Sequence, residues 1–466
     1  MFRNTRHIHL VAIGGIGMSG IAEILLNLGF QVSGSDLHVS ATTQRLQKLG
    51  ATIFIGHQAE QIAGADVIVY SSAVTAANPE IVAARRQRIP VVRRADMLAE
   101  LMRLKYGICV AGSHGKTTTT SLVAAALGAG GLDPTVIVGG RVLATGANAI
   151  LGGGEYLVAE ADESDGSFLR LTPTIAVVTN IDLEHVDFYP DLAALHDAFA
   201  EFLSRVPFYG TCVLCIDDPE VRALIPQIER QVVTYGLLES AEVRAEILGG
   251  THGADIPPST GPEVELFIRG DSLGRLRLPL RGRHNLRNAL AAVAVGLELG
   301  IDIVDIVAGL ECFSGVGRRA EEHGEHGGVL VLDDYGHHPT EILATLEVAR
   351  SYGRRVVVLF QPHRYSRTAR FRREFADALA GADVVGLLPV YAASEKNRTG
   401  VGSENIQTDM RDKGLHAVEL LTDLDAVNDW LSASVSPGDL LLTLGAGDIG
   451  RLVRPICEYL AQRGQK

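Results

Sequence analysis

The stretch Gly112-Ser113-His114-Gly115-Lys116-Thr117 constrains this chain more than any other. It follows an apolar run, Tyr106 to Ala111, and leads into a helix-like run from Thr118 to Ala129. A strand, a glycine-bearing loop and a helix in that order commit the surrounding chain to an α/β unit. Backbone N–H groups in such a loop converge on phosphates, and the helix N-terminus adds partial positive charge. Lys116 is then within reach of β- and γ-phosphates, and the Thr117 hydroxyl of Mg²⁺. Val110 stands where the longer pattern has its first glycine, so the loop is a shortened Gly-x-x-Gly-Lys-Thr form. An ordinary βα turn is the competing reading.

At about 150 residues per domain, 466 residues point to three domains. The composition, 47% hydrophobic and 21% charged, is that of an ordinary globular protein. No apolar run is long enough to span a bilayer and no leader peptide is legible, so membrane insertion is not expected. Five cysteines make no disulfide framework in a chain of this length and point to a reducing cytoplasm. A net charge of −13 argues against nucleic-acid binding. It also requires any anionic ligand to be met by local N–H groups, Arg, Lys or metal.

Apolar strand-like runs alternate with helix-like runs through most of the length, which reads as α/β with parallel sheets. One block spans 1–105, with strands expected at His7–Ile13, Phe30–Ser35, Thr52–Ile55, Asp66–Tyr70 and Pro90–Val92. A second spans 106–314, with strands at Glu155–Glu160, Thr174–Thr179 and Thr211–Ile216. Its runs Val264–Ile268 and Arg275–Leu280, after the Gly- and Pro-rich Gly249–Pro262, read as an antiparallel β insertion. A helix, His284–Leu299, closes it. The third block, 315–466, shows strands at Val329–Asp333, Arg355–Phe360, Asp383–Leu388 and Asp439–Leu444.

Gly15-Ile16-Gly17-Met18-Ser19-Gly20 follows the first strand and matches G-x-G-x-x-G, with Asp36 at the end of the next strand. The glycines let backbone approach a pyrophosphate, which a nicotinamide cofactor and a UDP moiety both carry. The second phosphate loop at 112–117 favours a diphosphate ligand other than a dinucleotide. Glu160-Ala-Asp-Glu-Ser-Asp165 packs four carboxylates into six positions, which suits Mg²⁺ as well as a solvated acidic loop. His185, in Thr179–Asp187, stands among carboxylates and is a candidate second Mg²⁺ ligand or a structural histidine. Asn285 and Asn288, at i and i+3 of a helix, are placed to read an adenine edge or to cap a core helix. Cys212 and Cys215 face opposite sides of a strand and read as core. His337 and His338, in Asp333–Pro339, and Arg364, in Phe360–Ser366, stand at strand ends, where open parallel sheets bind ligands.

Taken in order, Gly14–Gly20, Gly112–Thr118, Glu160–Phe168, Thr179–Asp187, Gly282–Asn288, Asp333–Pro339 and Phe360–Ser366 resemble the Mur ligase family over essentially the whole chain. The resemblance implies three α/β domains: a Rossmann-like UDP-sugar domain, a central P-loop ATPase-type parallel sheet with an antiparallel β insertion, and a Rossmann-like C-terminal domain that closes over the site. It implies an ATP-driven amide bond between L-alanine and the lactyl carboxylate of UDP-N-acetylmuramate, through an acyl-phosphate, for peptidoglycan precursor synthesis. ATP would be held by Gly112, Ser113, His114, Gly115, Lys116, Thr117, Thr118, Asn285 and Asn288, with Thr117, Glu160 and His185 on Mg²⁺, two ions being expected. The UDP-sugar would lie on Gly15, Ile16, Gly17, Met18, Ser19, Ser35, Asp36, Ser71 and Ser72. Lys116, His185, His337 and Arg364 would carry catalysis. Family members acting on later substrates use a carbamylated lysine in the central domain, and no lysine occurs here between Lys116 and Lys396. The resemblance is therefore to the alanine-adding branch.

Overall fold

The apolar runs that alternate with helices pair as parallel strands. The computed structural model describes residues 5–71, 73–138, 149–185, 188–248, 261–393 and 395–464, without the side chains of Ile16 and Leu424. Ser72, of the expected sugar contacts, and residues 249–260 of the Gly- and Pro-rich stretch lie outside the described residues. Among the described residues the strands form three sheets.

The first sheet is parallel throughout, from β1 (His7–Val11), β2 (Gln31–Asp36), β3 (Thr52–Ile55), β4 (Val67–Tyr70) and β5 (Val91–Arg93), in the order β3-β2-β1-β4-β5. Its strand order reverses between β1 and β4, so the loops after these two strands border the crevice where such sheets take ligands. They are the loop of Gly14–Gly17 and the one beginning at Ser71.

The second sheet holds β6 (Tyr106–Ala111), β7 (Thr135–Ile137), β8 (Ala149–Ile150), β9 (Tyr156–Glu160), β10 (Ile175–Val178), β11 (Thr211–Cys215), β12 (Gln231–Gly236), β13 (Val243–Ile247), β14 (Glu263–Ile268) and β15 (Asp271–Arg277). Its order is β15-β14-β13-β12-β11-β10-β6-β9-β7-β8. The expected antiparallel insertion is present as β13, β14 and β15. Continuous apolar sequence suits β6, β9 and β10, which are covered on both faces. Because β6 lies between β9 and β10, the phosphate loop is flanked by the acidic loop on one side and by Thr179–His185 on the other.

The third sheet holds β16 (Glu321–His326), β17 (Val329–Asp334), β18 (Val356–Phe360), β19 (Val384–Leu387), β20 (Val418–Leu420) and β21 (Leu440–Leu444), ordered β16-β17-β21-β18-β19-β20. Only its β16–β17 pair is antiparallel. Sequence periodicity misses β16, whose residues Glu-Glu-His-Gly-Glu-His are all polar or glycine. This edge strand exists through its pairing with β17, not through burial of its own side chains. β12 and the three-residue β20 also fall outside the sequence expectation.

The three sheets gather into two compact units. One holds the chain up to Leu248 with Glu263–Pro279 and Asn285–Ser314; the other is centred on Gly315–Lys466 and includes Leu280–His284. In the first unit one apolar cluster runs from Ile8 and Leu10 through Leu98 and Met102 to Cys109, Ala159 and Phe168. Cys212 and Cys215 are buried and unpaired, as expected of core residues. Burial pushes their thiols up to about 12 and about 11 respectively, so neither is a reactive thiolate.

Candidate functional site

Glycine at 112 and at 115 is what lets the phosphate loop close. Gly112 has φ +130°, and a Cβ there would lie 2.1 Å from Thr179 Oγ1. Gly115 has φ +81°, and its Cβ would lie 2.7 Å from Asn288 Oδ1. Both conformations favour glycine, and the close contacts leave no room for a Cβ. The chain after β10 braces the loop. His114 N donates to Asn180 Oδ1 at 2.8 Å, Thr179 Oγ1 donates to His114 O at 2.7 Å, and Ser113 Oγ donates to Asp182 O at 2.9 Å. The His114 ring also meets Asp182 Oδ2 at 3.1 Å. The side chains of Ser113 and His114 thus shape the loop, and their backbone N–H groups do so too, Ser113 N donating to Asn180 O at 3.0 Å. The helix Lys116–Ala129 begins directly after Gly115, with no side-chain cap. That leaves its N-terminal dipole directed at the loop.

Lys116 is folded back into this loop. Its Nζ donates to Gly112 O at 2.6 Å, Ser113 O at 3.1 Å and Glu163 Oε1 at 2.9 Å. Burial alone would lower the ammonium's pKa; the carboxylates of Glu163, Asp162 and Glu160 outweigh it and raise it above the usual lysine range. Thr117 Oγ1 donates to both Glu160 oxygens, at 3.1 and 3.0 Å. His185, with φ +54°, holds Nε2 3.5 Å from Glu163 Oε1 and 3.8 Å from Glu184 Oε2. One ligand atom each from Glu163, Glu184 and His185 lie within 4.8 Å of one another.

The carboxylates therefore divide into two places: Glu160 with Thr117, and Glu163 with Glu184 and His185. Glu163 is buried, so its charge needs a close cation, and Lys116 fills that role here. A hydroxyl and three carboxylates are donors that suit a hard divalent cation. Sequence reasoning singled out Glu160 and His185 but not Glu163 and Glu184. The strand order that puts β9 and β10 on either side of β6 is what brings Glu163 to Lys116 and Glu184 close to Glu163.

Asn285 and Asn288, expected at the adenine, lie mostly inside the fold. Both are buried in the helix Arg283–Glu298, and Asn288 Nδ2 meets Asn285 Oδ1 at 3.4 Å. Asn288 abuts Gly115, so this pair supports the phosphate loop from beneath.

In the first sheet, several expected sugar contacts turn inward. Met18 and Ser19 are buried within the helix Ile16–Asn27, and Ser19 N donates to Gly15 O at 2.8 Å. Ser35 is wholly buried, and its hydroxyl donates to Glu80 Oε2 at 2.8 Å. Asp36 Oδ2 accepts from Gly14 N at 2.9 Å, tying the glycine loop to β2. Ser71 accepts from Ala73 N through its hydroxyl at 3.4 Å. A cation that sequence reasoning missed stands over this loop: a Cβ on Gly17 would lie 2.9 Å from Arg94 Nη1. Arg94 also reaches Asp162, Nη2 to Oδ2 at 3.6 Å, and so joins the glycine loop to the acidic loop.

The second unit gathers its own cluster at the ends of β17 and β18. His337 Nδ1 lies 3.1 Å from Tyr335 O, and its ring packs edge-on to His363. His363 stacks on Tyr391 with centroids 5.7 Å apart, and Arg367 Nη1 meets its Nδ1 at 3.2 Å. Burial, then His337, Arg367 and Arg364, push the His363 pKa down to about 3, so this imidazole is neutral. Arg364 begins the helix Tyr365–Leu379 with φ +68°, its N–H donating to Tyr391 O at 2.8 Å. Arg318 Nε meets Asp333 Oδ2 at 2.8 Å, and its guanidinium lies over Tyr335. Sequence reasoning named His337 and Arg364 but passed over His363, Arg367, Arg318 and Tyr335.

Three family models cover this architecture in turn: Mur ligase family, catalytic domain, over residues 7–106; Mur ligase middle domain over 110–296; and Mur ligase, glutamate ligase domain, over 318–447. The UDP-N-acetylmuramate–L-alanine ligase of Desulfosudis oleivorans is 52% identical over 455 residues, 97% of this chain and 98% of its own length. That of Solibacter usitatus is 52% identical over 470 residues, 100% of this chain and 98% of its own. Among solved structures, UDP-N-acetylmuramate-alanine ligase MurC of Thermotoga maritima superposes with a TM-score of 0.81 at 30% identity, covering 99% of this chain and 100% of that one. A murein peptide ligase of Psychrobacter arcticus shares the fold at TM-score 0.73 and 22% identity, over 98% and 99% of the two chains. With matches that run end to end at this identity, the chain belongs to the Mur ligase family.

Proposed function

We infer that this protein joins L-alanine to the lactyl carboxylate of UDP-N-acetylmuramate at the expense of ATP, releasing ADP and phosphate and supplying a peptidoglycan precursor. The observation that carries this reading is the 52% identity to ligases of that name over 97% of the chain. The site supports it chemically. We assign residues 1–105 to the UDP-sugar, 106–314 to ATP and 315–466 to a C-terminal ligase domain. Among the described residues no helix is long and apolar enough to cross a membrane. The reaction belongs in the cytoplasm, in keeping with five free cysteines.

In the first step a lactyl carboxylate oxygen attacks the γ-phosphorus and ADP leaves. Lys116 exchanges Glu163 for the β- and γ-phosphate oxygens, a charge-assisted contact of the same kind. Thr117 and Glu160 would hold one Mg²⁺, and Glu163, Glu184 and His185 a second. Mg²⁺ held there would neutralise phosphate charge. In the second step the amine nitrogen attacks the acyl carbon, phosphate leaves with the bonding pair, and the proton lost by the amine passes to the departing phosphate. Arg364 serves the charge that develops on the departing phosphate, and His337 holds its strand-end loop. Arg367, beside neutral His363, offers a guanidinium to the carboxylate of the amino acid.

Phosphate release with UDP-N-acetylmuramate and each amino acid in turn tests the assignment. Turnover must require both the sugar and L-alanine. A solved relative is named for ligating L-alanyl-γ-D-glutamyl-meso-diaminopimelate to the same sugar nucleotide, at 29% identity over 67% of this chain. Preference for that tripeptide over alanine would overturn our reading.

A further inference from the structure

The first sheet buries a polar chain where apolar packing is the rule. His9, Ser35 and Glu80 are wholly inaccessible, with Ser33 and His7 nearly so. His7 Nε2 meets Ser33 Oγ at 2.7 Å, His9 Nδ1 meets Ser33 Oγ at 2.8 Å, and His9 Nε2 meets Glu80 Oε2 at 2.8 Å. From the other side Ser35 Oγ donates to Glu80 Oε2 at 2.8 Å. His57 Nδ1 lies 2.9 Å from both Ser35 Oγ and Glu80 Oε1. Gln61, with its amide oriented to satisfy both ends, donates to Glu80 Oε1 at 3.1 Å.

One set of proton positions satisfies every link with neutral imidazoles. His7 Nε2–H donates to Ser33, the Ser33 hydroxyl to His9 Nδ1, and His9 Nε2–H to Glu80. The Ser35 hydroxyl, the Gln61 amide and His57 Nδ1–H end on the same carboxylate. Glu80 is thus the acceptor on which donors from β1, β2, the turn after β3 and the residues around Ile62 converge, filling its lone-pair sites. Burial alone would raise its pKa; the His9, Ser35 and His57 contacts outweigh that and lower it. Within this chain His57 has the most exposed side chain of those linked to the carboxylate by ion pairing, at 16% against 0% for His9 and Glu80. His57 directly follows Gly56, whose N–H donates to Asp36 O at 2.8 Å. The network therefore reaches the ligand edge of the sheet at two adjacent points, the ends of β2 and β3.

We propose that Glu80 is a positioning residue for the sugar nucleotide: its carboxylate fixes the Ser35 hydroxyl and the His57 ring, and through them the strand-end segments at Asp36 and His57. Nδ1 is the only His57 nitrogen in the network, so Glu80 also sets the tautomer, leaving Nε2 as an acceptor for what the edge binds. The proposal rests on the reading that this edge takes UDP-N-acetylmuramate.

Steady-state kinetics of Glu80→Gln test it, together with ¹⁵N NMR of the imidazoles. The amide brings N–H groups against donors, so the chain of hydrogen bonds must reverse. The KM for UDP-N-acetylmuramate rises about tenfold, the worth of one hydrogen bond to a charged group. kcat and the KM values for ATP and L-alanine hold steady, and His57 moves from the Nδ1–H to the Nε2–H tautomer. His57→Asn, which alters only the outermost member, gives the same selective rise should Glu80→Gln fold poorly. Unchanged sugar KM in a folded variant, or equal rises for all three substrates, would overturn the proposal. Hydrogen exchange of the wild type with and without UDP-N-acetylmuramate separates the underlying reading: absence of protection at Gly14–Gly20 and Asp36–His38 removes the sugar from this edge whatever Glu80 does.

Discussion

Replacing Lys116 by methionine tests whether the phosphate-loop lysine also stabilises the empty fold. Its ammonium and the Glu163 carboxylate are mostly out of water, with side-chain exposures of 13% and 1%. Both Glu163 oxygens lie 2.9 Å from Nζ. Asp162 and Glu160 add to the negative charge that Lys116 offsets. Removing one member of a buried pair costs about 3–5 kcal/mol, because the other charge is left without compensation. In a large α/β unit each kcal/mol corresponds to about 2–4 °C, so the midpoint should fall by roughly 6–20 °C. Lys116→Met together with Glu163→Gln removes both charges and should recover most of that loss, since neutral replacement of a whole buried pair is close to neutral. Phosphate release should fall by about 10²–10³-fold or more in both variants, because a fixed donor to the transferred phosphate is gone. Scanning fluorimetry and the phosphate assay read the two effects separately. A single variant as stable as the wild type, or a double variant no more stable than the single, would refute the argument.

Other outcomes follow from the same geometry. Arg94→Ala should raise the KM for the sugar nucleotide by about tenfold and flatten its dependence on salt, as loss of one cation from a diphosphate loop requires; initial rates at two ionic strengths read both. Gly115→Ala adds a Cβ 2.7 Å from Asn288 Oδ1 at φ +81°, so ATP binding, followed by calorimetry, should weaken more than the roughly 1–2 kcal/mol of backbone strain alone predicts. His363, held down to about 3, contributes stability that is full above the ordinary histidine range and drains as pH falls toward 3; its NMR signals should not titrate between about pH 5 and 8. Asp334 runs the opposite way: burial, opposed by Arg319 and by the Gly336 and Ala320 N–H groups, raises it to about 6, so its contribution is full below 3.8 and is lost as pH rises through 6. A carboxyl ¹³C titration should give a midpoint near that value.

The sheets were legible because buried parallel strands need unbroken apolar sequence, as in Tyr106–Ala111 and Val356–Phe360. The phosphate loop was legible because its glycines and its lysine are contiguous. Partners assembled from distant segments were not. Glu163 lies 47 residues from Lys116, and nothing local says that β9 becomes the neighbour of β6. The strand β16 was hidden for a related reason: its pairing partner defines it, and its own residues do not. The inward turn of Ser35 is a different kind of miss, because the signal was present. His7 and His9 stand two apart on β1, Ser33 and Ser35 two apart on β2, and the register pairs His9 with Ser33. Polar residues repeating at the period of a strand, on a face that flanking apolar residues mark as covered, announce a buried network in need of a terminus. The acidic residue after Asn78-Pro79, at the start of a helix packed on that face, provides it. Reading Ser35 as a ligand contact followed its place at a strand end; reading it with its alternating partners assigns its hydroxyl to Glu80 and leaves the strand-end backbone for the ligand.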